Sequence, residues 1–475
     1  MSDYQDRSGH RGWHAGWELS LSTRLDKLQD LASKVVEKAQ AAGADTAEAV
    51  AGDGFHLSTR VRMGKTELVE EAGSRSLGVR VMLGKQVAVT YTSDTSSGGV
   101  QRLVEDAVDL ARLAQADEYA GPPDPSLLSS ADQHVDLDTF DASISRIEAK
   151  EALGEALAAE EAALAHDERL TNSEGASFSR VEGGRVLVTS GGFIAGSEGT
   201  YASLSVRPIA QQKDGKRHTG SDWTARRHRG QMRSPVEVGA EAAKRTLQKL
   251  GAKKVKTQNA PVIFERDAAA SILGLFGGSI MGSAIWRKSS YLTERLQTRV
   301  ASDLITIVDD PLIPRAPGSR AYDGEGLLAR KNVVVQKGML ETYLLDSYCG
   351  RKLAMPSTAS ASRRSSGGVG PTTSNFILQP GTTSFESLVA DTKAGLIVTE
   401  MMGFGFNGVT GDFSRGAAGF WVENGEIAFP VSEVTISLNL NDLLQRIDCV
   451  CDDLNLRSSV ASPSFRVSEM TIAGS

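Results

Sequence analysis

Cysteine is scarce. The 475-residue chain has three, Cys349, Cys449 and Cys451. So low and odd a count argues against a disulfide framework and fits a reducing cytoplasm. Histidine is scarce and unevenly placed. All seven, His10, His14, His56, His134, His166, His218 and His228, lie at or before residue 228. No H-E-x-x-H occurs, which removes a common helical zinc-hydrolase pattern. No apolar run is long enough to span a bilayer; the longest, near residues 268–278, is short and rich in glycine. No basic stripe runs along the chain, whose net charge is -7 with a pI near 5.7. A nucleic-acid partner is therefore not expected. The short run Arg226–Arg227–His228–Arg229 reads as a solvated face. The first 20 residues lack the apolar core of a secretory signal and read as a disordered tail.

What the chain does have is a long alternation of helical and strand patterns. Apolar residues recur at helical spacing from Ser22, and Gly43 follows as a stop. Phe55, Leu57, Thr59, Val61 and Met63 alternate with polar neighbours as a strand does. Residues 77–92 read as two strands about Gly84–Lys85, and a second amphipathic helix carries Val100, Leu103, Val104, Ala107, Leu110 and Leu113. A third helix is expected over 144–166, strands over 170–228, and a fourth helix over 235–250. The polar stretch 251–258 places a domain boundary. Beyond it the pattern is mostly strand and turn, with hairpins expected over 332–346 and 419–432. Asn424–Gly425 is a strong type I′ turn signal in the second of them. The fold class is α+β: a tail at 1–20, an N-terminal helix and antiparallel-sheet domain at 21–250, and a β-rich C-terminal domain at 251–475.

Self-contained chemistry is missing. The stretch SILGLFGGSIMGS, residues 271–283, looks like a phosphate cradle, but Arg287 stands where a P-loop starting at Gly282 needs its second glycine. Gly403, Gly405 and Gly408 match G-x-G-x-x-G without a βαβ pattern around them. His218 and His228 flank Asp222 at a spacing that fits no metal motif. Cys449 and Cys451 would share one face of a strand and read as small buried hydrophobes. The adjacent pairs Asp309–Asp310 and Asp452–Asp453 would point to opposite faces. The serine-rich segment 359–375 reads as a mobile loop.

One long segment carries a resemblance. GFGFNGVTGDFSRGAAGFWVENGEIAFPVSEVTISLNLNDLL, residues 403–444, resembles the C-terminal signature of the TldD/PmbA metallopeptidase (modulator-of-gyrase) family, in its PmbA or TldE branch. Residues 309–353, 35–51 and 76–94 resemble other blocks of that family, so the likeness spans about 22–475. It implies a cytoplasmic heterodimer of two related chains that degrades or processes unfolded peptides. One chain, TldD-like, holds zinc through H-E-x-x-x-H and a cysteine, and bound zinc acidifies a water for attack on a peptide carbonyl. The other lacks that motif.

By position, residues 271–283 are the counterpart of the zinc-binding helix. The two histidines and the glutamate then fall on Leu273, Gly278 and Gly274, and the cysteine falls within 458–465, which has none. The resemblance thus implies no catalytic or metal residue here, zinc only in a TldD-like partner, and no activity for this chain alone. Asn407, Gly408, Ser414 and Arg415 are the candidates for lining a shared peptide chamber, because a glycine-rich run lets another backbone approach. Tight turn packing is the plainer reading of the same run. A peptide-binding or regulatory homodimer without enzymatic activity is the alternative for the whole chain.

Overall fold

The computed structural model describes residues 21–474; the tail expected at 1–20 lies outside the described residues. The N-terminal half runs α1 (Leu21–Ala41), β1 (Thr46–Arg62), β2 (Lys65–Leu83), β3 (Gln86–Thr92), α2 (Ser97–Leu113), α3 (Ala142–Ser145), α4 (Ala149–Leu164), β4 (Leu170–Thr189), β5 (Ile194–Gln211), β6 (Arg217–Thr219), β7 (Asp222–Arg226) and α5 (Pro235–Leu247). Its strands form one antiparallel sheet in the order β3-β2-β1-β4-β5-β6, with β7 also on β5. Alternation along β1 decides where the helices go. Ala47, Ala49 and Ala51 are buried with α1 and α2, and Leu57 and Val61 on the same face are buried with α4 and α5. Phe178 is wholly buried there, a contribution of about 1.5–3 kcal/mol for a side chain of its size. All the large helices therefore cover one face of the sheet.

The other face meets the C-terminal half. That half runs β8 (Gln258–Phe264), α6 (Arg266–Ser279), α7 (Gly282–Trp286), β9 (Ile307–Asp309), β10 (Asn332–Gln336), β11 (Met339–Leu340), α8 (Ser347–Leu353), β12 (Ala361–Arg363), β13 (Val369–Pro371), β14 (Phe376–Leu378), α9 (Phe385–Ala390), β15 (Ala394–Met402), β16 (Asp412–Glu423), β17 (Glu426–Asn439), α10 (Leu440–Gln445), β18 (Ile447–Val450), β19 (Val460–Ala461) and β20 (Phe465–Ala473). Strands β17, β16, β15, β8 and β20 pair in that order, and β17 pairs again with β20. The sheet so closes on itself, which removes most of its free edges. A smaller sheet, β11-β10-β9-β14-β19, lies beside it. Helix α6 and the fully buried Phe264, Phe276, Phe376 and Phe465 share the main core between them.

Most of the expected elements form, and three differ in instructive ways. The third helix breaks at 146–148, because the Ile147 carbonyl accepts a hydrogen bond from buried Arg180 at 2.7 Å and leaves the helical ladder. Strand β2 starts at Lys65, well before residue 77, because register with β1 carries it through an exposed, polar stretch. Segment 359–375 is no mobile loop. It forms the β12–β13 hairpin, and its tip lies on Gly78 of the N-terminal sheet, where a β-carbon would come within 2.4 Å of the Ser365 carbonyl oxygen. The Asn424–Gly425 turn forms as expected, with φ of 53° and 81°.

The two halves are joined by buried charge. Glu48 of β1 takes Arg363 of β12 at 2.6 Å and Arg80 of β2 at 3.1 Å. Burial opposes ionisation of Glu48, but the two guanidiniums outweigh it and hold its carboxyl below the usual range. A second node sits at the start of α6. Arg457 pairs with Asp222 of β7 at 3.3 Å and Asp267 of α6 at 2.5 Å, over the ring of Trp223.

Candidate functional site

The glycine-rich stretch folds as two helices with a break. Glu265 caps α6 by accepting from the Asp267 amide at 3.2 Å. Ala268, Ala269, Ile272, Leu273 and Phe276 recur at helical spacing and turn one face into the core. Ile280 ends the helix, Met281 is extended, and Gly282 starts α7 with its amide on the Leu344 carbonyl at 2.8 Å. A β-carbon on Gly282 would sit 2.6 Å from both Cys349 and Leu345, so only glycine fits.

Leu273 and Gly278 do not face the same way. Leu273 is 3% exposed in the core, whereas Gly278 is exposed. Positions five apart on an α-helix are separated by roughly 140°. Gly274 and Gly278 share the outer face, and no atom lies within 4 Å of where their β-carbons would stand. Gly277 differs: its β-carbon position is 3.2 Å from the Phe376 ring. The glycines therefore divide. Gly277 and Gly282 admit neighbours of this chain, while Gly274 and Gly278 leave a bare strip of helix. None of Leu273, Gly274 and Gly278 carries a side-chain nitrogen, oxygen or sulfur, so the donor set does not fit a zinc ion.

Segment 458–465 lies beside α6. Strand β19 packs on the helix, and the Ser464 hydroxyl accepts from the Arg266 amide at 3.0 Å. Asp453 holds Ser464 in turn, at 2.7 Å to its amide and 2.8 Å to its hydroxyl. The cysteines are elsewhere. Cys349 is buried against Gly282, and burial pushes its thiol up. Cys451 is buried with Ile263 and Leu388, and burial pushes it up to about 12. Both behave as small hydrophobes.

The run 403–415 is a surface turn followed by a strand. Asn407 Oδ1 accepts from the Val409 amide at 3.0 Å, and the Gly408 carbonyl accepts from the Tyr291 amide at 2.8 Å. This ties the turn to the segment after α7. Phe404 at its tip is 98% exposed. Ser414 and Arg415 follow on β16, where Ser414 is exposed and Arg415 Nε is buried with no hydrogen-bond partner. The turn is tightly closed, with the Ser414 amide on the Gly405 carbonyl at 2.8 Å and the Gly411 amide on the Asn407 carbonyl at 2.8 Å, while the Asn407 and Ser414 side chains are exposed.

Sequence comparison decides the family. Residues 257–474 match the PmbA/TldA metallopeptidase C-terminal domain, 142–250 its central domain and 47–111 its domain 1. The chain belongs to the PmbA/TldD family. It is 36% identical over 455 residues to the metalloprotease PmbA homolog of Haemophilus influenzae, covering 96% of this chain and 98% of that one. It is also 36% identical to metalloprotease PmbA of Escherichia coli, over 94% of this chain and 96% of the relative. A putative modulator of DNA gyrase from Bacteroides thetaiotaomicron superposes with a TM-score of 0.88 at 25% identity, covering 95% and 99%. TldE from Thermococcus kodakarensis shares the fold, with a TM-score of 0.83 at 19% identity over 94% and 100%.

Within this PmbA/TldD chain the remaining candidates separate. His218 Nε2 meets Gln212 at 2.8 Å, His228 Nε2 meets the Asp138 carbonyl at 2.8 Å, and Asp222 pairs with Arg233 and Arg457. The trio is three separate structural contacts. Among the described residues no group of three or more His, Cys, Asp or Glu is arranged to hold a metal ion. No described helix is long and apolar enough to cross a membrane. Sequence reading missed Arg457 and Glu48, whose importance comes from partners more than 180 residues away. It also missed buried Glu325, whose carboxyl burial and nearby Asp323 push up to about 7. No local pattern announces any of them.

Proposed function

We propose that this chain is the metal-free subunit of a two-chain zinc peptidase acting on unfolded peptides in the cytoplasm. The observation that carries the reading is helix α6. By the resemblance it is the counterpart of a zinc-binding helix, and here Leu273 is core and no neighbouring side chain fills the β-carbon positions of Gly274 and Gly278. Zinc and the attacking water then belong to a TldD-like partner, and this chain completes the peptide chamber. Asn407, Gly408, Ser414 and Arg415 line that chamber. The exposure of Asn407 and Ser414 supports the role. An extended peptide held there would satisfy its backbone through main-chain hydrogen bonds.

Co-purification tests the reading. A 1:1 complex with an H-E-x-x-x-H-containing chain, cleaving an unfolded peptide and losing that activity to a chelator, is the expected result. A self-paired chain that binds peptide and does not cleave it in any mixture would replace the reading with a peptide-binding or regulatory homodimer. Replacing Ser414 and Arg415 by alanine should raise KM for peptide in the complex. Unchanged cleavage would remove the chamber-lining role.

A further inference from the structure

A cleft of about 650 Å³ lies between the free face of the N-terminal sheet and residues 319–324 and 361–363 of the C-terminal half. Its floor is three cross-strand pairs of β4 and β5: Val181 with Tyr201, Gly183 with Gly199, and Arg185 with Ser197. The glycines make room: a β-carbon on Gly199 would stand 2.9 Å from the Arg227 guanidinium, so glycine there lets Arg227 lie on the strand. The intervening acids point away. Gly184 directs its β-carbon position at Leu25 and Leu28 of α1, so the even positions of β4, Glu182 among them, face the helices. Glu198 of β5 likewise feels Arg24 and Asp53 on that side.

Four guanidiniums line the cleft, with exposed Asp136 at its rim and Asp323 beside Arg320. Arg185 donates to the Arg363 carbonyl, and Arg227 donates to the carbonyls of Ala316 at 3.0 Å and Pro317 at 2.7 Å. Neither has a carboxylate partner among the described residues. Arg320 Nε is buried without a hydrogen-bond partner. The carboxylates nearest Arg320, Asp323 and Asp309, are already committed. Asp323 accepts from the amides of Glu325, Leu327 and Ala361, and Asp309 from that of Ser374. Arg363 also lines the cleft but is neutralised by Glu48. Burial lowers the pKa of Arg185, Arg227 and Arg320, yet a guanidinium stays charged at neutral pH. Three desolvated cations converging on one cavity, none of them in a salt bridge among the described residues, are costly unless an anion joins them.

We propose that this interdomain cleft binds a small ligand bearing a carboxylate or a phosphate, held by Arg185, Arg227 and Arg320 over the Gly183–Gly199 floor. The site is distinct from helix α6 and does not depend on the subunit role of the chain. Titration calorimetry on the full chain tests it with three probes: inorganic phosphate, N-acetyl-dialanine, and the amide of the same dipeptide. One-to-one binding of phosphate assigns a phosphate ligand; binding of the free acid but not the amide assigns a carboxylate. In either case Arg185→Gln and Arg320→Gln should weaken binding at least tenfold, and the exposed Arg102→Gln should leave it unchanged. Should those variants unfold, wild-type protein is labelled with an arginine-selective dicarbonyl, and Arg185, Arg227 and Arg320 should be protected by the bound probe. Absence of stoichiometric binding by phosphate and free acid, equal binding in Arg320→Gln and Arg102→Gln, or no protection of the three arginines would overturn the proposal.

Discussion

Replacing Glu48 by glutamine removes one negative charge from a site with two buried cations. Glu48 and Arg363 side chains are each 1% exposed and Arg80 is 10% exposed. Glutamine keeps the shape and one acceptor, so packing changes little. What is lost is charge: the two hydrogen bonds, at 2.6 and 3.1 Å, keep their guanidinium donors but lose the ion-pair attraction, and two buried cations are left without an anion. Removing one partner of a buried pair costs about 3–5 kcal/mol, and the glutamine oxygen still accepts from both guanidiniums, so a loss of about 3 kcal/mol is expected. The pair joins the two halves, so the loss should appear where they meet. Trp223 lies at that boundary under Arg457, and a chain with Trp13, Trp17, Trp286 and Trp421 replaced by phenylalanine makes it the fluorescent probe. With a urea slope near ~3 kcal/mol per molar, the midpoint should fall by roughly 1 M. A fall worth less than ~1 kcal/mol would refute the claim that this triad holds the halves together. The double variant Glu48→Gln, Arg363→Met should recover part of the loss, because it also removes a stranded cation.

Other expectations follow from individual sites. Glu325 binds a proton in the fold that it has lost when unfolded, because burial and Asp323 raise its pKa to about 7. Its contribution to stability is full below the ordinary carboxylate pKa and declines as pH rises to about 7. Glu325→Gln should flatten the dependence of Tm on pH across that window and raise Tm above it; parallel profiles would contradict this. Gly274→Ala should stabilise the isolated chain by about 0.5–1 kcal/mol, since a helix interior favours alanine and the β-carbon meets open space. Gly282→Ala should destabilise by about 1–3 kcal/mol, since its β-carbon meets Cys349 and Leu345. Equal Tm shifts for the two alanine variants would show that α6 is misplaced. Iodoacetamide at pH 7.5 should leave buried Cys349 and Cys451 unmodified in the folded chain, with Cys449 the only site labelled; mass spectrometry of the digest reads this out.

The sequence made the elements legible wherever one face is apolar. β1, α1, α2, α5 and the Asn424–Gly425 hairpin follow from periodicity and turn chemistry. What it hid depends on distant partners. The break between α3 and α4 comes from Arg180 taking the Ile147 carbonyl, which no local pattern foretells. The β12–β13 hairpin reads as a polar loop because its order comes from docking on Gly78. Closure of the C-terminal sheet rests on β17 meeting β20, two strands not adjacent in sequence. The candidate site rests on the resemblance alone. Leu273, Gly274 and Gly278 were located by position in the chain, and their split between core and open face appears only in three dimensions. The arginines of the cleft are scattered over β4, the segment after β7 and a C-terminal loop, so composition gave no sign of them.

Zinc content separates a metal-free subunit from a metalloenzyme. Elemental analysis of the purified chain, alone and after mixing with an H-E-x-x-x-H-containing relative, should find no stoichiometric zinc in the chain alone and one zinc per pair in the mixture. One zinc per chain in the isolated protein would rule out the metal-free role.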